Sequence, residues 1–145
     1  MSGYSGTPLA QKLGIKAGCR LCVQSGPANY GQLLAPLPAR VHAATRISAT
    51  TDIIHVFVTQ RAALARALTN ALSKMRPDAT LWVSWPKRTS GVATDITEDT
   101  IRELALPQGL VDVKVCAVDE TWSALKLVIR RSARPAARKP AVRAR

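Results

Sequence analysis

Aromatic residues are scarce in this sequence. Trp82, Trp85, Trp122, Tyr4, Tyr30 and Phe57 are the full set, 4% of the chain. A module that grips single-stranded nucleic acid by stacking needs several rings on one face, and this chain does not supply them. Acidic residues are few as well: nine, against 21 lysines and arginines, for a formal net charge of +12. Cysteine occurs three times, so the thiols cannot all pair with one another. No segment approaches the roughly 20 consecutive apolar residues of a membrane-spanning helix. Met1 to Thr7 is small and polar, without the basic start and apolar run of a secretory leader. These absences point to a reducing, cytoplasmic compartment with free thiols and no membrane partner. There is also no Gly-x-Ser-x-Gly elbow, no Walker loop and no metal-spaced cluster, so no metal is expected.

What remains is a globular composition of 47% hydrophobic and 21% charged residues over 145 positions. That length suits one domain. The charge is uneven. Arg130, Arg131, Arg134, Arg138, Lys139, Arg143 and Arg145 crowd the C-terminus with no acid among them. Residues 1–129 hold fourteen basic and nine acidic groups, a net +5. The domain is therefore placed at residues 1–130, and 131–145, rich in Ala, Arg and Pro, reads as a disordered basic tail. Such a tail attracts polyanions weakly and without sequence preference, or is simply solvated.

Along the chain, Thr7-Pro8 opens a short helix that ends near Gly14. Arg20 to Ser25 reads as a strand, Tyr30 to Leu34 as a helical stretch closed by Pro36 and Pro38, and Val41 to Ile47 as a second strand. Asp52 to Val58 is almost unbroken apolar, the pattern of a parallel strand buried on both faces. Leu64, Leu68, Leu72 and Met75 recur at helical spacing, predicting a helix over Arg61 to Met75. Thr80 to Trp85 is a fourth strand, followed by a polar loop from Lys87 to Thr94. Thr97 starts a second long helix, with Glu98 and Asp99 on its dipole and Ile96 stapled to Ile101. Val111 to Val118 and Ala124 to Arg130 form a closing hairpin. The alternation predicts an α/β fold: a Rossmann-like, mostly parallel sheet with helices on both faces and a C-terminal antiparallel hairpin.

Cys19-Arg-Leu-Cys22 has redox or zinc spacing, but it falls on a strand, where positions i and i+3 point to opposite faces. Inert thiols are the better reading. By the same parity Trp82 and Trp85 are packing residues rather than a stacking platform. His55, mid-strand among apolar neighbours, reads as a hydrogen-bonded core histidine, and His42 has no metal-spaced partner.

Residues 52–86 resemble the middle of a class I, S-adenosylmethionine-dependent methyltransferase. Asp52-Ile-Ile-His-Val-Phe-Val58, the long helix, and Leu72-Ser-Lys-Met-Arg-Pro-Asp-Ala-Thr-Leu-Trp-Val-Ser-Trp85 look like that family's fourth strand, helix and fifth strand. The closing hairpin resembles its last two strands. The chain is shortened, with no room for a helix and another strand before Asp52. As a whole it resembles a bacterial, actinobacterial-type domain family of unknown function. Gly3-Tyr-Ser-Gly-Thr-Pro-Leu9, Lys12-Leu-Gly-Ile-Lys16, Trp85-Pro-Lys87, Ser90 to Glu98 and Leu110 to Ser123 carry that likeness. It implies a Rossmann-like fold and brings no activity.

In an open parallel sheet, ligands bind at the carboxyl ends of the strands. The methyltransferase resemblance implies a glycine-rich turn after the first strand and a carboxylate for the ribose after the second. Here the first turn is Ser25-Gly26-Pro27, a degenerate cofactor loop with one glycine and a proline that has no N–H. The second strand ends Thr45-Arg46-Ile47-Ser48 with no acid. No cofactor is therefore expected. Lys87, Arg88 and Ser90 offer two cations and a hydroxyl for a phosphate or carboxylate, or form a solvated loop. Asp119 and Glu120 lie at the same predicted edge, as base, ligand or ion-pair partners, with Trp122 as a wall or a packing ring. The sequence points to a non-catalytic binding or accessory protein with a protein or small-molecule partner. An unorthodox methyltransferase or other nucleotide-using enzyme, and a nucleic-acid-associated protein acting through its tail, are the alternatives. The oligomeric state is not legible.

Overall fold

The computed structural model describes residues 7–131. The start of the N-terminal motif, with Tyr4, and the tail residues Arg134, Arg138, Lys139, Arg143 and Arg145 lie outside the described residues. So does the expected disorder of the tail beyond Arg131.

Six strands make one sheet: β1 (Arg20–Gln24), β2 (His42–Ala44), β3 (Ile53–Phe57), β4 (Thr80–Pro86), β5 (Leu110–Ala117) and β6 (Trp122–Ile129). Their spatial order is β2-β1-β3-β4-β6-β5. The first four run parallel, and β6 enters antiparallel between β4 and β5. All residues of β3 are buried, as its apolar run requires of a strand covered on both sides. β2 is shorter than Val41 to Ile47 and wholly exposed. It pairs on one side only, at the sheet edge, with little apolar side chain to bury.

Four helices cover the sheet: α1 (Leu9–Leu13), α2 (Tyr30–Leu34), α3 (Arg61–Lys74) and α4 (Glu98–Ala105). On one face α3 and α4 bury Leu64, Leu68, Ala71, Ile101 and Ala105 against Ile54, Val56, Leu81, Val83, Leu125 and Leu127. On the other, α1 and α2 bury Leu9, Leu13 and Leu34 against Leu21, Ile53, Trp82 and Ala124. Cys22 belongs to the first cluster and Cys19 to the second, as strand parity requires. Burial raises the pKa of both thiols, which keeps them protonated and inert. Trp85 and Trp82 divide between the faces in the same way. The Trp82 indole N–H donates to the carbonyl of Leu13 at 3.0 Å and ties α1 to the sheet.

α1 starts one residue later than Thr7-Pro8 suggests: Pro8 is the capping residue, with no side-chain cap. Gly14 ends it at φ 84°. α4 begins as its sequence implies. Thr97 and Thr100 each accept the other's backbone N–H, Glu98 and Asp99 sit in the first turn, and Ile96 and Ile101 are both buried.

The Lys87–Thr97 segment is a strap rather than a loose loop. It begins with a 3₁₀ turn over Arg88–Ser90. Thr94 Oγ1 donates to the carbonyl of Thr59 at 2.6 Å, and Asp95 Oδ1 accepts the N–H of Arg61 at 2.6 Å. The Asp95 carboxylate thus meets the positive end of α3, which Gln60 leaves without a side-chain cap. Removing it should cost about 1 kcal/mol. Urea denaturation of Asp95→Ala should show that loss, and Asp95→Asn should recover most of it. A parental midpoint in the alanine variant would mean that the strap does not support α3.

Candidate functional site

The chain reverses its direction of winding between β1 and β3: β2 lies to one side of β1, and β3 and β4 to the other. Ligands of open α/β sheets bind outside the carboxyl ends at such a point. Here the turn after β1 is strained, and its glycine is packed on one side. Ser25 has φ 59°, a left-handed conformation that costs a residue with a Cβ roughly 1 kcal/mol or more. A Cβ on Gly26 would stand 2.7 Å from Val23 Cγ1, and 3.7 and 3.8 Å from the rings of Tyr30 and Phe57. The space beside this glycine is filled by the protein's own side chains.

Those rings belong to a cluster on the α1/α2 face. Tyr30 meets Phe57 edge to face at 5.6 Å, and Phe57 meets Trp122 edge to face at 5.0 Å. His55 stacks on Phe57 at 4.3 Å. His55 Nδ1 is 2.8 Å from the Tyr30 hydroxyl, and Nε2 is 2.7 Å from Ser84 Oγ. One ring nitrogen donates and the other accepts, so a neutral imidazole satisfies both. His55 and Ser84 have no solvent exposure. Burial pushes the imidazole down to about 3 and raises the Tyr30 phenol. A serine beside a histidine suggests a nucleophile and its base, but this pair is sealed, and an imidazole so hard to protonate is a poor base. It is a core hydrogen-bond chain joining α2, β3 and β4.

On the opposite face, an open cleft of about 760 Å³ lies between the end of β4, the strap and the start of β6. Trp85, Lys87, Arg88, Thr94, Thr97 and Ser123 contribute to its wall. Glu98 also lines it and is paired with Arg102. The Ser90 hydroxyl serves the strap: it donates to the Lys87 carbonyl at 2.7 Å and accepts the Val92 N–H at 3.1 Å.

The sequence placed Lys87, Arg88, Ser90, Asp119, Glu120 and Trp122 in one polar site. Lys87 and the hairpin turn do share an edge, for the Lys87 N–H donates to the Thr121 carbonyl at 2.7 Å. The structure divides the group, however. Trp122 pairs with Pro86 and Ser123 with Trp85, so Trp122 faces α1 and α2 while the cleft opens on the other side. Asp119 Oδ1 closes its own turn by accepting the N–H groups of Thr121 and Trp122 at 2.9 and 2.8 Å. Glu120 is exposed on that turn. Strand parity along β6 could have separated Trp122 from Lys87. The length of the hairpin turn, which sets that parity, was not legible. Among the described residues, no cluster of three histidine, cysteine or acidic side chains could hold a metal, and no helix is long and apolar enough to cross a membrane.

The model of a family described as "Protein of unknown function (DUF3052)" matches residues 46–131. The chain belongs to that family. The DUF3052 segment covers β3 to β6 with α3, α4 and the strap. No curated protein matches the chain. Solved structures similar to it are methyltransferase folds. A protein assigned as a type 11 methyltransferase from Sulfolobus solfataricus superposes with a TM-score of 0.61 at 11% identity, over 86% of this chain and 91% of the other. A tRNA methyltransferase of B. subtilis gives 0.56 at 13%, over 85% and 66%. Fibrillarin of Aeropyrum pernix, solved with natively bound S-adenosyl-L-methionine, gives 0.55 at 13%, over 88% and 71%. At these identities the likeness is one of fold.

The residues here do not fit that cofactor. The glycine turn is filled from below by Val23, Tyr30 and Phe57, and Pro27 offers no N–H. Past β2, Ser48 is held in its own turn: its hydroxyl lies 3.0 Å from Thr50 Oγ1, and its N–H donates to Thr51 Oγ1 at 2.8 Å. No acid stands there to accept ribose hydroxyls.

The buried imidazole makes stability depend on pH. An unfolded histidine titrates near pH 6.5, whereas His55 in the fold titrates only at about 3. Between those values the unfolded chain binds the extra proton, so stability falls as pH falls, by up to about 1.4 kcal/mol per pH unit. Asp52, lowered by the backbone N–H of Arg20 and the Arg76 guanidinium, and Asp112, lowered by the Arg102 guanidinium, add their own losses only below about pH 4. Urea midpoints measured from pH 7 down to pH 5 should fall in the parent. His55→Gln should flatten that stretch, whatever its stability at neutral pH. A parental slope in the variant would place the titrating group elsewhere.

Proposed function

We propose that this protein is a non-catalytic binding or accessory protein on a methyltransferase-like fold, and that its ligand site is the cleft at the end of β4. One observation carries the reading. In the turn after β1, where the fold would admit its cofactor, Val23, Tyr30 and Phe57 occupy the side of Gly26 that a Cβ would take, and Pro27 offers no N–H. The cleft is the alternative concave surface at the same edge, and Lys87 and Arg88 suit it to a small phosphate or carboxylate. The missing ribose carboxylate alone removes a charge-assisted hydrogen bond worth about 1.5–3 kcal/mol, roughly tenfold or more in affinity.

Calorimetric titration with S-adenosylmethionine and S-adenosylhomocysteine should show no saturable binding in the micromolar range. Native mass spectrometry of gently purified protein should show an anionic small molecule on the parent that Lys87→Glu, Arg88→Glu protein does not carry. Micromolar binding of either adenosyl compound would overturn the reading and restore an enzyme.

A further inference from the structure

β5 and β6 are covered along their length on one face and only in part on the other, where α1 buries Ala124 and half-covers Cys116. On the first of these faces Asp112 of β5 meets Arg102 of α4, with Arg102 Nε 2.8 Å from Asp112 Oδ2, and Leu125 and Leu127 enter the core. The register puts Lys114 directly opposite Lys126 on the other side, in line with Cys116 and Ala124. Lys12 of α1 reaches the same place, its Nζ 3.5 Å from the Ala117 carbonyl. Both Lys12 and Lys114 are close enough to Cys116 to offset part of the rise that burial gives its thiol. Three cations thus gather on one sheet face, and neither strand contributes an acid to it.

Like charges directly opposite on neighbouring strands destabilise a sheet. Residues 1–6 and 132–145 contain no acidic residue, and 132–145 add five cations. A second copy docked through this face would set lysine against lysine. β6 also runs out into the exposed Arg130 and Arg131, which prolong the positive strip. A lipid-binding surface would add Trp, Phe or Leu wedges to the cations. Here Ala124 is buried under α1 with Cys116 packed beside it, and the Trp122 ring on the same side of β6 is packed on Phe57.

We propose that the partly covered face of the β5–β6 hairpin, where Lys114 and Lys126 stand beyond the edge of α1 and its Lys12, docks the phosphate backbone of nucleic acid. Binding there is sequence-tolerant: without exposed rings for stacking, the cations supply it by releasing counterions. The face lies across the sheet from the cleft, so this inference does not depend on the cleft's ligand.

The test is fluorescence anisotropy of a labelled DNA duplex with the full chain across a salt series. Lys114→Gln, Lys126→Gln protein should bind roughly tenfold more weakly at low salt, and the slope of log affinity against log salt should shrink by about 2. Its melting temperature should not fall, because the lysine–lysine opposition is gone, which separates lost binding from lost folding. Unchanged affinity and slope in that variant would overturn the proposal. So would binding to phosphatidylserine vesicles with none to the duplex.

Discussion

An uncharged histidine at the centre of the sheet sets the terms for the rest of the structure. β3 is buried on both faces, so any polar group on it must find partners inside the protein. His55 finds two, Tyr30 on α2 and Ser84 on β4. Each bond fixes an element. Tyr30 brings α2, a helix too short to stand alone, down over the β1 end, and Ser84 links the neighbouring strand across the α1/α2 face. The imidazole must remain neutral to do this, and its lowered pKa follows from the same burial that makes the bonds worth having.

The packed turn is a consequence. With Tyr30 held at His55, its ring and that of Phe57 lie under Gly26, and Val23 fills the remaining side. The turn keeps the glycine, with left-handed strain at Ser25, and a Cβ at Gly26 would collide with Val23. The shared sheet order does not itself create a cofactor site. The side chains packed against the first turn decide that, and here they make a core.

The elements of the fold were legible because burial imposes periodicity. Leu64, Leu68 and Ala71 mark α3, and the apolar run of β3 marks a strand covered twice. His55 could be read as a core residue from its neighbours, but neither Tyr30 nor Ser84 could be named as its partner. The bonds run between elements, and only the parallel register of β3 and β4 brings Ser84 beside it. The strap was hidden for a related reason. Thr94 and Asp95 look like part of an ordinary polar loop, and their work is done on backbone groups of distant residues that carry no sequence signature. The cleft residues were half legible: Lys87 and Arg88 follow a strand end, but which face they open on depends on the hairpin turn.

The same parity that turns Trp122 toward α1 and α2 sorts the charges of the hairpin. A bulge between Asp112 and Lys114 shifts the register of β5 by one residue. In a regular strand those two residues would share a face and could pair across the gap. The extra residue, Val113, sends Asp112 to the helix side, where Arg102 also holds Glu98 and Asp99, and leaves Lys114 on the open side with Lys126. Bulges also bend an edge strand away from further pairing, so β5 is a poor template for another strand despite the exposed Val113 and Val115. A single inserted residue thus blunts the edge, satisfies α4 and concentrates positive charge on the one sheet face without a full helical cover.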